Sequence, residues 1–181
     1  IIGFVGVYVV TCFVAAPHIA KAFGREKIHH DAHVKPVTFL TVLCNRNYVD
    51  PQWNTILKKV SGKFGTQYPG IQVQYLDANF PFFDGFPLLP HLSHDDGGKL
   101  DLAFIYRSEE GLTNKKPSWS GYGHFESAKP GEEDTNARCK ASGYWQYDLA
   151  RVIGWKIGQK PDFAEKETAQ LIQLFLEQKQ I

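Results

Sequence analysis

The stretch "HLSHDDGGKLDL", residues 91–102, places two histidines, three aspartates and two glycines directly before the apolar run Ala103-Phe104-Ile105-Tyr106. On a regular strand His94 and Asp101, seven positions apart, would point to opposite faces. Gly97 and Gly98 lie between them and permit a turn that folds the histidine back, so that the two side chains converge. Imidazole nitrogen and carboxylate oxygen both suit zinc, which in catalytic sites takes three protein ligands and a water. His91, three residues before His94, is placed to hydrogen-bond a bound substrate or to orient a ligand. On spacing alone the stretch reads equally as an exposed turn whose aspartates cap loops.

Outward from this stretch the pattern alternates. "LDLAFIY" (100–106) reads as a strand, "IQVQYLD" (71–77) alternates Ile71, Val73 and Tyr75 in the strand period, and "VTFLTVLC" (37–44) reads as a buried strand. "PQWNTILKKVSGKFG" puts Trp53, Ile56, Leu57, Val60 and Phe64 at helical spacing behind Pro51 in the first turn. The prolines and glycines of "NFPFFDGFPLLPHLSHDDGG" forbid regular structure, and its aromatic residues imply a loop packed over a core. A long polar excursion, "TNKKPSWSGYGHFESAKPGEEDTNARC", precedes a helix in "GYWQYDLARVIGWKIG". A last helix follows in "PDFAEKETAQLIQLFLEQKQI", with Asp162 as N-cap and Glu165 three residues later. Trp145 and Trp155 read as core residues. The fold class expected is α+β: a small, mainly antiparallel sheet with flanking helices, preceded by an N-terminal hydrophobic span.

The chain has 181 residues, 43% hydrophobic and 14% aromatic, enough for one sizeable core. Its net charge of +1 and scattered basic residues give no phosphate-tracking surface, which argues against a nucleic-acid partner. Residues 1–20, "IIGFVGVYVVTCFVAAPHIA", carry no Lys, Arg, Asp or Glu, and suffice to cross a hydrocarbon core of ~30 Å. Val14-Ala15-Ala16 resembles a signal cleavage site, but Pro17 directly after it disfavours the cut, and an uncleaved membrane anchor is the reading taken; a buried core helix is the third possibility. Lys21, Arg25 and Lys27 follow the span and by themselves argue for a cytoplasmic side there.

Residues 21–36 read as a solvated juxtamembrane tether and 37–181 as the domain. Within the tether, His29 and His33 of "IHHDAH" would share a helix face and offer a peripheral metal site only if that segment were helical. Cys44 and Cys139 either pair outside the cytoplasm or remain separate thiols; the residues before Cys12 do not match a lipidation site. The opening without a charged flank, and a final helix that stops without a cap, are expected of a piece of a longer chain.

"HLSHDDGGKLDL" resembles the first metal motif of the LAS metallopeptidases, the group that contains lysostaphin, the D-Ala-D-Ala carboxypeptidases and the hedgehog fold. Their pattern is a serine and histidine, a glycine, and an aspartate seven positions after the histidine. The form with a second histidine three positions earlier, His91-Leu92-Ser93-His94, is most similar to penicillin-insensitive murein endopeptidase. The resemblance covers about a dozen residues. It implies that His94 and Asp101 are zinc ligands with His91 beside the metal, and that the protein is a zinc-dependent peptidase or amidase acting on peptidoglycan peptide bonds from the periplasmic or extracellular face. A non-catalytic zinc-binding or structural domain of hedgehog-like fold is the alternative.

The family completes its site with a late histidine, and here the chain departs from it. After Asp101 there is only His124, in "SGYGHFES". Either the completing strand lies beyond Ile181, or His124 serves as the third ligand with Glu126 as base, the glycines at 121 and 123 letting the backbone bend close, or the site is inactive. "GYGHFE" as a surface loop is the competing reading.

Overall fold

The computed structural model describes residues 2–118, 120–122, 127–145 and 161–178. Helix α1 (Ile2–Val10) runs through a π turn (Thr11–Ala15) into α2 (Ala16–Ala22). Pro17 supplies no N–H for the carbonyl four residues back, and the backbone widens immediately before it, the Ala16 N–H bonding to the Thr11 carbonyl. The whole helix, Ile2–Ala22, is long and apolar enough to cross a membrane by length and composition.

Beyond it the described residues form three small sheets. Strand β1 (Glu26–Lys27) pairs antiparallel with β3 (Tyr48–Val49), and β2 (Val34–Pro36) pairs in parallel with β4 (Val73–Tyr75). Strand β5 (Tyr106–Ser108) lies between β6 (Gly111–Thr113) and β7 (Asp162–Phe163), antiparallel to both. The α+β class with mostly antiparallel pairing therefore holds. Residues 26–36, expected as part of a solvated tether, instead contribute β1 and β2 to the folded body. His29 and His33 are not helical there: His29 faces Glu26 at 3.3 Å, and the His33 ring packs against the backbone of Gly65.

Helix α4 (Pro51–Gln67) begins with Pro51 at its first turn, as the sequence predicts, and buries Ile56, Leu57, Val60 and Phe64 along one stripe. The stripe meets Val34, Val73 and Tyr75 from the parallel pair, and Leu171, Leu174 and Phe175 from the last helix, α6 (Glu165–Leu176). Phe64 is fully buried, and such burial stabilises by roughly 1.5–3 kcal/mol. Thr168 of α6 ties this layer to the strand region, accepting from the Ile105 N–H at 3.0 Å.

Five local expectations change. Of 100–106, expected as a strand, only Tyr106 enters β5, the rest holding a single bridge between Leu102 and Tyr75. Residues 37–44 are not a strand: Thr38 is extended, and Phe39–Leu43 forms a short helix, α3. An apolar run of that length has no period that separates helix from buried strand, and the Thr41 hydroxyl bond to the Leu76 carbonyl at 2.8 Å fixes the helical outcome. Asp162 is not an N-cap. It pairs with Arg107 in β7, and α6 begins after Ala164, whose N–H is taken by the Ile105 carbonyl at 3.0 Å. Trp145 is 63% exposed rather than core. Within the polar excursion, Asp134 caps a short helix, α5 (Thr135–Ala141), by accepting from the Ala137 N–H. The helix expected around Trp155 lies outside the described residues. Cys12, Cys44 and Cys139 are free thiols.

Candidate metal centre

The chain after β4 builds the site's floor. The Asp101 N–H donates to the Asp77 carbonyl and the Leu76 N–H to the Asp101 carbonyl, both at 2.8 Å, so residues 76–77 and 101 lie as neighbouring extended segments. Between them the aromatic loop folds back, its Phe80, Phe82, Phe83 and Phe86 rings packed on one another. Asn79 pins the return: its side-chain amide donates to the Tyr48 and Lys99 carbonyls, and its oxygen accepts from the Gly97 N–H at 3.2 Å.

Gly97 is the residue that makes the return possible. Its φ is +79°, and an added Cβ would collide with the Arg25 guanidinium and the Asp50 carboxylate. Those two groups are ion-paired at 2.6 Å, and Arg25 also pairs with Asp84. The turn after His94 therefore rests on a charged strut reaching up from the end of the apolar helix.

His94 and Asp101 converge as their spacing around the glycines predicts. His94 Nε2 lies 3.1 Å from Asp101 Oδ1, and His91 Nδ1 lies 2.7 Å from Asp101 Oδ2. The two imidazoles meet edge to face, with centroids 5.3 Å apart. One donor atom from each of His91, His94 and Asp101 lies within 4.8 Å of the others, a set able to hold a metal ion. His94 is buried, and its Nδ1 is 2.6 Å from the Ala78 carbonyl. A carbonyl can only accept, so that nitrogen carries the proton, and the neutral ring turns the lone pair of Nε2 toward Asp101. Two lone-pair atoms at 3.1 Å need a positive charge between them, either a second proton on His94 or a cation. Backbone anchoring of the remote nitrogen is how metal-bound histidines are held.

Burial pushes the Asp101 carboxyl up, but hydrogen bonds from His91 and His94 and their charges outweigh it and hold the group well below the usual carboxylate range. For His94 burial lowers the pKa, and the Asp101 hydrogen bond and charge with the Ala78 carbonyl outweigh it and raise it above the usual imidazole value, so at Nε2 a proton and a cation compete for one place.

Three further residues complete the centre. The Tyr122 hydroxyl donates to Asp77 Oδ2 at 2.6 Å and lies 3.3 Å from His91 Nε2 and 3.4 Å from Asp101 Oδ2. Burial, followed by the charge and hydrogen bond of Asp77, pushes its phenol far up, so it stays protonated as a donor. Arg46 grips Asp77 from behind. Beside Asp101 opens a cleft of about 380 Å³, lined by Leu76, Leu100, Leu102, Phe104, Tyr106 and Tyr122 among others.

Asp77 and Tyr122 are separated by 45 positions, and no local spacing joins them or links Arg46 to either. The one available signal was the acidic residue ending the strand pattern of "IQVQYLD". His124 and Glu126, expected as a substitute ligand and base, lie outside the described residues. Comparison of the chain with family models, with curated proteins and with solved structures found no match.

Proposed function

We propose that this protein is a zinc-dependent peptidase or amidase that acts on peptide bonds of peptidoglycan, anchored by its N-terminal helix with the folded body outside the cytoplasm. The observation that carries the reading is the His94 geometry: one ring nitrogen fixed on a backbone carbonyl, the other aimed at a carboxylate and a second imidazole. The resemblance of residues 91–102 to the LAS motif supplies the reaction class.

His94, Asp101 and His91 would hold the ion. Zinc so held supplies a Lewis acid and a bound water whose pKa falls to about 7. The chain's own groups do the rest. Tyr122 keeps its proton and presents a hydroxyl at the edge of the centre, positioned by Asp77, which Arg46 in turn neutralises. The apolar lining of the cleft beside Asp101 offers space for the side chain of a peptide substrate.

The test is hydrolysis of purified cross-linked muropeptides by the full chain, followed by mass spectrometry. The expected result is cleavage that chelation abolishes and added zinc restores, and that His94→Ala lacks. Zinc bound at one equivalent without cleavage of any muropeptide would instead favour the non-catalytic zinc-binding domain.

A further inference from the structure

The apolar helix has two halves in different surroundings. From Cys12 onward it lies on the folded body. Cys12, Ala16 and Ala20, one turn apart, are buried, and the two alanines pack on Tyr48. Asn45 donates to the Cys12 sulfur at 3.0 Å and Lys27 to the Cys12 carbonyl at 3.3 Å. From Ile2 to Val10 no residue is buried, and none is charged. A helix apolar on every side suits hydrocarbon, whereas a one-sided protein groove calls for only an apolar stripe.

The polar side chains around the second half set a limit. Lys27 and Asn45 beside Cys12 are costly to carry into a hydrocarbon core. The body grips the helix at that level, so both cannot lie in the core together, and the membrane surface falls near Cys12 and Phe13. Helix α3 sits at this height. Phe13 and Phe39 stack with centroids 6.5 Å apart and planes 10° apart, and the Tyr8 hydroxyl donates to the Leu43 carbonyl at 2.8 Å. Phe39 and Leu40 on α3 are 65% and 57% exposed, and α3 contains no charged residue.

We infer that the folded body is seated directly on a lipid bilayer, with α1 in the hydrocarbon and Phe13, Phe39 and Leu40 entering the acyl chains as one surface continuous with it, while α2 stays above as part of the body. The occupant of the exposed α3 face is lipid. Phe39 and Leu40, level with Phe13, then lie at the boundary of one leaflet. The inference rests on the membrane reading of the helix and is independent of the metal chemistry.

The experiment is photolabelling of the full chain in phosphatidylcholine vesicles doped with a lipid bearing a diazirine on its acyl chain, with adducts mapped by mass spectrometry. Adducts are expected on α1 and on the peptide that carries Phe39 and Leu40, with none on α2. Phe39→Glu combined with Leu40→Glu should lose the α3 adducts and keep those on α1. Labelled α1 with unlabelled α3 in the wild type would overturn the inference, because the body would then stand clear of the bilayer. Adducts continuing through Ala16 and Ala20 would overturn it as well, as would α3 adducts that persist undiminished when Phe39 and Leu40 are both replaced by glutamate. A chain with no adduct on any segment sinks the membrane reading itself, a result distinct from the other three.

Discussion

Arg46 takes both carboxylate oxygens of Asp77, Nε at 2.5 Å from Oδ1 and Nη2 at 2.9 Å from Oδ2, while its third nitrogen donates to the Leu89 carbonyl at 2.9 Å. Asp77 is almost fully buried. Arg46→Met leaves that carboxylate without its counter-charge and should cost about 3 kcal/mol in urea unfolding. Arg46→Lys should recover only part, because an ammonium cannot reproduce the planar fork. Two variants as stable as the wild type would show that the pair does not hold the floor of the site.

Zinc content separates the three donors from the residues behind them. After chelation and dialysis against stoichiometric zinc, the wild type should regain one equivalent, and His94→Ala and Asp101→Ala should remain empty. Tyr122→Phe leaves His91, His94 and Asp101 in place and removes only the hydroxyl that lies against His91 and Asp101. It should keep the ion and lose about 10- to 100-fold in affinity or activity, the usual cost of removing a partner behind a ligand. Equal zinc in all four by elemental analysis contradicts the assignment.

Gly97→Ala tests the turn. The positive φ alone costs on the order of 1–3 kcal/mol in an L-residue, and the new methyl also displaces the Arg25–Asp50 pair. Gly85 has a similar φ of +87° but open space around it, so Gly85→Ala reports the backbone part only. The larger loss should fall on Gly97, with zinc binding weakened alongside; equal losses would mean that the crowding at Gly97 relaxes without consequence.

Thr168 holds α6 on the strand region through a buried hydroxyl. Thr168→Val removes the acceptor of the Ile105 N–H and should destabilise by about 1–3 kcal/mol, whereas Thr168→Ser keeps the bond and should lose less. Amide exchange at Ile105 gives a local reading: faster in the valine variant alone.

How far the sequence revealed this molecule depends on the distance between interacting groups. Helix α4 was legible because Ile56, Leu57, Val60 and Phe64 repeat at the helical period behind a proline. The approach of His94 to Asp101 was legible because the glycines that bend the chain lie between the two residues themselves. Helix α3 was not, since an apolar run that short fits either element until Thr41 finds Leu76, 35 positions away. Asp162 looked like a cap because the capping pattern is local, and the β5 edge that claims it is not. Arg46, Asp77 and Tyr122 escaped for the same reason: each has ordinary neighbours in sequence and meets the others only in the folded chain.

Arg25 stands three residues past the end of the apolar helix and joins it, through Asp50 and Asp84, to the turn on which Gly97 rests. No slack segment separates the two, so the helix behaves as a strut rather than a leash. The loop between His94 and Asp101 is coupled to the helix through the Arg25–Asp50 pair, in parallel with β1, which starts at the residue after Arg25. Displacement of the helix is thereby shared between the β1–β3 pair and the turn that sets the distance from His94 to Asp101, so that distance is tied to where the helix sits.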